Sequence, residues 1–215
     1  MLQQHGKLDR AAQADRAQEA KDLAAVQGLS GQDTLAKGGA WRRGDVLTVD
    51  TEEGIQLRFI DAGVCEGFYT CRRWTFHGAV QVPAQRGTAD YWLIQFEQGE
   101  GGYWLAIGRG SGAVVTLDAE PHISADRRHW AMGECDFESS FSLTILEADE
   151  FGRLIPVAAA PEDSPCCDVE GWDGAALKVK LCDLDPAKAY PDRLSRGANG
   201  VWAGKRIRLQ KPKPQ

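Results

Sequence analysis

In several segments between Trp41 and Leu209, apolar residues recur at every second position, and this period constrains the fold more than any other sequence feature. Ile55, Leu57 and Phe59 alternate with Gln56 and Arg58. The same alternation marks Trp92, Ile94 and Phe96; Phe141, Leu143 and Ile145; Leu177, Val179 and Leu181; and Ile207 with Leu209. Because successive side chains of a strand point to opposite faces, the pattern is typical of antiparallel sheets with one solvent-exposed face. The sequence therefore predicts an all-β fold, an antiparallel barrel or sandwich.

A sequence motif of glycine, aromatic residues and valine occurs twice. One copy comprises residues 67–69, 78–80 and 91–93, and the other comprises residues 102–104, 112–114 and 129–131. In each copy a glycine precedes an aromatic pair, a second glycine is expected to turn the chain into valine, and a tryptophan closes the unit. The copies start about 35 residues apart, within the range of repeated structural units. They predict successive hairpins built to one plan.

Tyr103-Trp104-Leu105-Ala106, followed by Gly112-Ala113-Val114, resembles one unit of a β-trefoil. In that family an aromatic strand, a glycine turn and a valine strand recur three times. The resemblance implies trefoil-like hairpin repeats. Only two units are visible here and the ricin-type Gln-x-Trp signature is absent, so the resemblance assigns no family.

Composition divides the chain into four segments. Residues 1–40 are predicted to form a helical arm over 7–27 and a glycine-rich linker, because alanine dominates the first part and Gly28 ends it. An alanine face buries little, so we expect the arm to be solvated or to dock on a partner, and to add almost nothing to the stability of the β domain. Residues 41–147 are predicted to form the main β domain, 148–210 its closing strands or a small β add-on, and 211–215 an extended tail.

Charge and length exclude several classes of protein. The 215 residues carry a formal net charge of −6, which disfavours nucleic acid and anionic membranes as partners. No apolar run is long enough to span a bilayer, and the N-terminus lacks the apolar core of a signal peptide, so we expect a cytoplasmic protein. The six cysteines contain no C-x-x-C spacing and are predicted to be reduced and metal-free. Oxidation of Cys65 with Cys71, or of Cys166 and Cys167, stays open.

The clearest candidate for chemistry is a short acidic segment. Asp118, Glu120 and His122 would share one face if the strand starting at Val114 continued. Such a set holds a divalent cation or performs acid–base chemistry, although Pro121 would distort a central strand. The glycine cluster at residues 108–112 precedes valines rather than a helix, so it indicates a hairpin turn and not a phosphate loop. No known catalytic motif is present, and no cofactor is expected.

An arginine pair lies beside a tryptophan three times. The residues are Trp41, Arg42 and Arg43; Arg72, Arg73 and Trp74; and Arg127, Arg128 and Trp130. Guanidinium groups stack favourably on indole rings, and both residue types are enriched at interface hot spots. Two interpretations stay open: the arginines pair internally with carboxylates, or the three groups form a surface that binds a protein or an anionic ligand.

These features favour a non-enzymatic interaction module that binds protein partners, through its helix and its Arg/Trp residues, within a larger assembly such as a phage or bacterial particle. One alternative is a metal-dependent hydrolase using Asp118, Glu120 and His122. Another is a barrel that binds a small ligand or carbohydrate, with Trp92, Trp104 and Trp130 as stacking platforms. The regular alternation around Trp92 predicts that it is core, whereas Trp74 and Trp130 are expected to be at least partly exposed.

Overall fold

The computed structural model of the protein describes residues 16–25, 39–62, 72–99, 101–134, 142–161, 166–182 and 189–212. Within them one helix, α1 (residues 16–25), precedes fifteen strands. The strands are β1 (Ala40–Arg43), β2 (Val46–Asp50), β3 (Gln56–Ile60), β4 (Arg72–Ala84), β5 (Gly87–Gln98), β6 (Gly101–Gly108), β7 (Val114–Leu117), β8 (His122–Ile123), β9 (His129–Glu134), β10 (Ser142–Ala148), β11 (Leu154–Ala159), β12 (Cys166–Asp173), β13 (Ala176–Cys182), β14 (Ala189–Arg196) and β15 (Trp202–Ala203).

The strands form four antiparallel sheets, which confirms the predicted all-β class. One sheet has the order β1-β2-β3 and a second the order β4-β5-β6-β7. The others have the orders β11-β10-β9-β8 and β12-β13-β14-β15. Consecutive strands are neighbours throughout, as expected for a chain of hairpins with short turns. No helix in the described part of the chain is long and apolar enough to cross a membrane.

The chain divides into two compact units. Unit 1 contains residues 1–80 and 90–116, and unit 2 contains residues 81–89 and 117–215. The division differs from the one drawn from the sequence, since the predicted main domain, 41–147, is shared between the two units. The predicted boundary after residue 147 falls inside β10, which pairs with β11 in one sheet.

The core of unit 1 lies between the inner face of the first sheet and strands β4 to β6. Ala40, Leu47 and Val49 point into it from β1 and β2. Trp92 is 1% exposed and packs 5.8 Å from the ring of Phe76 (centroid to centroid), so the prediction that Trp92 is core is confirmed. The hairpin turn predicted at residues 108–112 is also present.

Helix α1 differs from the solvated arm expected from its alanine content. Leu23 is buried in the core of unit 1, and Glu19 is 2% exposed. The helix is therefore held on its own unit by the apolar side chain of Leu23 and by the charged side chains of Glu19 and Arg16. The rest of the predicted arm and linker, up to residue 38, lies outside the described residues.

In unit 2 the predicted alternation is realised in two strands. Leu143 and Ile145 of β10, and the three apolar residues of β13, Leu177, Val179 and Leu181, enter one hydrophobic core. Ile207 and Leu209 complete it, whereas Phe141 lies outside the described residues.

The two copies of the repeated motif do not fold alike. Gly78 lies inside the long strand β4 with a φ of 105°, and the chain turns only at residues 85–86. Gly112, its counterpart, does lie in a turn and leads into β7. The expected hairpin at Gly78 is therefore wrong, and residues 67–69 of the first copy lie outside the described part.

Candidate interaction surface

The sheet β1-β2-β3 has one buried and one exposed face. Ala40 and Arg42 of β1 point to the inner face, while Trp41 and Arg43 point outward. Residues directly opposite each other in antiparallel strands share a face. The register therefore defines an outer face with two rows, Trp41–Thr48–Arg58 and Arg43–Val46–Ile60.

The outer face combines large apolar groups with cations on two crossing diagonals. Trp41 is 36% exposed and Ile60 is 61% exposed. Neighbouring strands are about 4.8 Å apart and residues i and i+2 about 6.8 Å apart, so each diagonal of this grid spans about 12 Å. Arg43 and Arg58 occupy one diagonal, and Trp41 and Ile60 occupy the other. Thr48 in the middle is nearly buried, so the centre of the face is covered rather than open to water.

The arginines of the outer face differ from others in unit 1. Neither Arg43 nor Arg58 forms an ion pair with any residue that the structure describes. By contrast, Arg73 pairs with Glu97 at 3.0 Å. Among the described strand residues of this face, Asp50 carries a carboxylate, which lies at the end of the sheet away from Arg43 and accepts a hydrogen bond of 3.0 Å from Gln56 Nε2. The face therefore carries two cations in a protein of net negative charge.

Arg42 serves a different purpose from its neighbours in sequence. Its guanidinium donates to both oxygens of Glu19, from Nε and Nη2, each at 2.9 Å. Arg42 also donates to Asp61, and Arg16 bonds both carboxylates. Burial would raise the pKa of Glu19, but hydrogen bonds from Arg42, from the Phe76 N–H and from Arg16 outweigh it and hold that pKa below 4.5. Arg42 thus anchors α1 and does not reach the outer face.

The second Arg/Trp group lies at the start of β4. Arg72 is exposed, and its backbone pairs with that of Ala62. Trp74 is half-buried, in agreement with the prediction that it is partly exposed. Its ring packs 4.7 Å from that of Phe59 and 4.5 Å from that of Phe96 (centroid to centroid), so most of its contacts are with the core.

The third group belongs to unit 2, and only its arginines are at the surface. Arg127 and Arg128 are exposed in the turn between β8 and β9, where Arg127 adopts a φ of 59°. Trp130 is 0% exposed, so the expectation that it is a surface residue is wrong. Both faces of β9 are covered around it, since Ala131 and Met132 are buried as well. The three Arg/Trp groups therefore occupy different environments and are not equivalent.

Unit 2 holds an aromatic cluster that the sequence did not predict. The ring of His129 lies 5.8 Å from Trp172 and 5.5 Å from Trp202 (centroid to centroid). Burial lowers the pKa of His129 below 6.5, although the Glu147 carboxylate, 3.7 Å from Nε2, acts in the opposite direction. Arg196 donates to Glu147 at 3.2 Å. The charge of Glu147 is thus shared with an arginine, and burial outweighs its effect on the pKa of His129.

The candidate catalytic set does not assemble as expected. Strand β7 ends at Leu117, so Asp118 and Glu120 lie in an irregular exposed segment and do not share a strand face with His122. His122 is half-buried in β8, and its carbonyl accepts a hydrogen bond from Trp172 Nε1. No three His, Cys, Asp or Glu residues that could hold a metal ion come together in the described ranges.

The tryptophans proposed as ligand platforms are buried as well. Trp92, Trp104 and Trp130 are 7% exposed or less, so none presents a ring to a ligand at the surface. Among the cysteines, the register places Cys166 opposite Cys182, whereas Cys65, Cys71 and Cys135 lie outside the described residues.

Sequence reasoning missed two members of the outer face, Arg58 and Ile60. The sequence pattern contained this information, because Gln56, Arg58 and Ile60 are spaced two residues apart and so lie on the same, solvent-exposed face of β3. An apolar residue on the wet side of a regular strand is the local mark of an exposed apolar position. Ile55 is the reverse case, since it was expected to be buried but is exposed just before β3 begins.

Comparison with known protein families, with curated proteins and with solved structures finds no match to this chain.

Proposed function

We propose that the protein is a non-enzymatic interaction module that binds a protein partner through the outer face of the β1-β2-β3 sheet. The observation that carries the proposal is the exposure of Trp41 and Ile60 on one regular face, crossed by Arg43 and Arg58. Scattered apolar residues are ordinary on protein surfaces, but a tryptophan grouped with arginines has the composition of an interface hot spot.

Two further features support a binding role for this face. A sheet is stiff, so the backbone positions of the four residues are fixed, and a partner that covers them has to order only their side chains. The network around Arg42 and Glu19 ties α1 to the inner side of the same sheet, which holds the outer face on a fixed support. The phage or bacterial particle expected from the sequence is one assembly in which such a subunit would serve.

Site-specific photocrosslinking in the cells that make the protein tests this proposal. A photoreactive phenylalanine derivative replaces Arg43 or Ile60, and a control replaces Lys178, which is exposed in unit 2. We expect one discrete crosslinked product at positions 43 and 60 and none at 178, and loss of the product at 60 when Trp41→Ser is added. Crosslinking at 43 and 60 no stronger than at 178 would contradict the proposal.

A further inference from the structure

Charge on the outer face identifies the kind of partner that it fits. Arg43 and Arg58 are exposed, and within the described part of the chain neither has a carboxylate partner. On the same sheet, Asp50 accepts a bond from Gln56, and Asp45 lies in the turn between β1 and β2. A partner that covered this face without supplying negative charge would bury two unpaired cations, which is costly.

We infer, on the basis of the proposed function, that the partner presents an acidic segment that also carries large apolar side chains. Carboxylates would pair with Arg43 and Arg58, which are about 12 Å apart along one diagonal. Apolar side chains would cover Trp41 and Ile60 on the other diagonal. Because the two diagonals cross, the partner must present carboxylates and large apolar side chains within one short stretch.

A polyanion without apolar groups fits the outer face less well. Nucleic acid would contact the two arginines but leave Ile60 uncovered by any matching group. Its phosphates would also meet a chain of net charge −6, whereas proteins that bind nucleic acid derive most of their affinity from an extended cationic surface. An acidic protein segment needs only two cations and gains from both apolar residues.

Selection from a displayed library of random peptides on the intact protein tests this inference. We expect the enriched peptides to be negatively charged and to contain large apolar residues, and the binding of a synthetic copy to weaken with added salt. The double variant Arg43→Glu with Arg58→Glu should weaken that binding by at least about tenfold. The double variant Arg127→Glu with Arg128→Glu makes the same change of charge on exposed residues of unit 2 and should leave binding unchanged.

The outcomes separate this inference from the proposed function. Neutral or basic peptides that lose binding on Trp41→Ser would overturn the acidic partner while leaving the outer face as a binding surface. Peptides that respond only to the Arg127 and Arg128 variant would overturn both. The inference also fails if no acidic peptide is enriched, or if single-stranded oligothymidine binds through Arg43 and Arg58 more tightly than the selected peptide.

Discussion

Replacing Glu19 by glutamine is expected to loosen the attachment of α1 to unit 1. The side chain of Glu19 is 2% exposed and accepts four hydrogen bonds, from Arg16, from the Phe76 N–H and two from Arg42. Glutamine has almost the same shape, but it lacks the negative charge that balances the Arg42 guanidinium, which is itself 12% exposed. The substitution therefore removes the charge and turns one of the two accepting oxygens into a donor, while the shape of the side chain is kept.

The expected loss follows from what the variant leaves behind. Removing one partner of a buried ion pair costs about 3–5 kcal/mol. Two contacts reduce that figure here, because Asp61 still accepts from Arg42 at 3.1 Å and the glutamine oxygen still accepts from the Phe76 N–H. We expect about 2–3 kcal/mol, or a fall in Tm of about 5–10 °C for a chain of this length.

Urea and thermal denaturation measure the loss, and hydrogen exchange localises it. The Phe76 amide donates to Glu19, so its exchange should accelerate in the variant together with that of the α1 amides. Asp22→Asn is the matched control, since Asp22 lies on the same helix and, among the described residues, accepts an exposed hydrogen bond from Gln18; it should cost less than about 0.5 kcal/mol. Equal stabilities for the two variants, with unchanged exchange at Phe76, would refute the anchoring role of Glu19 and restore the solvated arm.

Three further predictions concern the cores and the thiols. Trp130→Ala should cost about 3–5 kcal/mol in equilibrium denaturation and Trp41→Ala less than about 1.5 kcal/mol, because only the first leaves a core cavity; equal losses would contradict this assignment. His129 has a lowered pKa in the folded protein, so the unfolded chain binds more protons below pH 6.5, and stability should fall as the pH drops from 6.5 towards that folded value. His129→Gln should remove this part of the pH dependence, and an unchanged pH profile would count against it. Protein purified without chelator should contain no stoichiometric zinc by elemental analysis, since the cysteine spacing matches no zinc template.

The strands could be predicted from the sequence because their signal is local. Alternation in β10 and β13 shows directly which side chains are buried, and the glycines at 54 and 112 mark turns that the fold contains. The hairpin predicted at Gly78 was wrong because a single sequence does not distinguish a glycine inside a strand from a glycine in a turn. The long strand β4 continues through it.

The environment of charged and aromatic residues could not be predicted, because it depends on contacts between distant segments. Arg42 faces inward to meet Glu19, 23 positions earlier in the chain, and no local pattern indicates that pairing. Trp130 is buried because β9 is covered on both faces, which removes the alternation that would have shown it. The outer face became recognisable only when the register placed Arg58 and Ile60 beside Trp41 and Arg43.

Hydroxyl-radical footprinting tests the outer face as a binding surface most directly. The oxidation of Trp41 and Ile60 is compared between the isolated chain and the same chain in its native complex. Phe151, which is 63% exposed in the turn between β10 and β11 of unit 2, serves as the internal reference. We predict that oxidation falls at Trp41 and Ile60 in the complex while the rate at Phe151 is unchanged. Equal oxidation of Trp41 and Ile60 in the free and the complexed chain would contradict it.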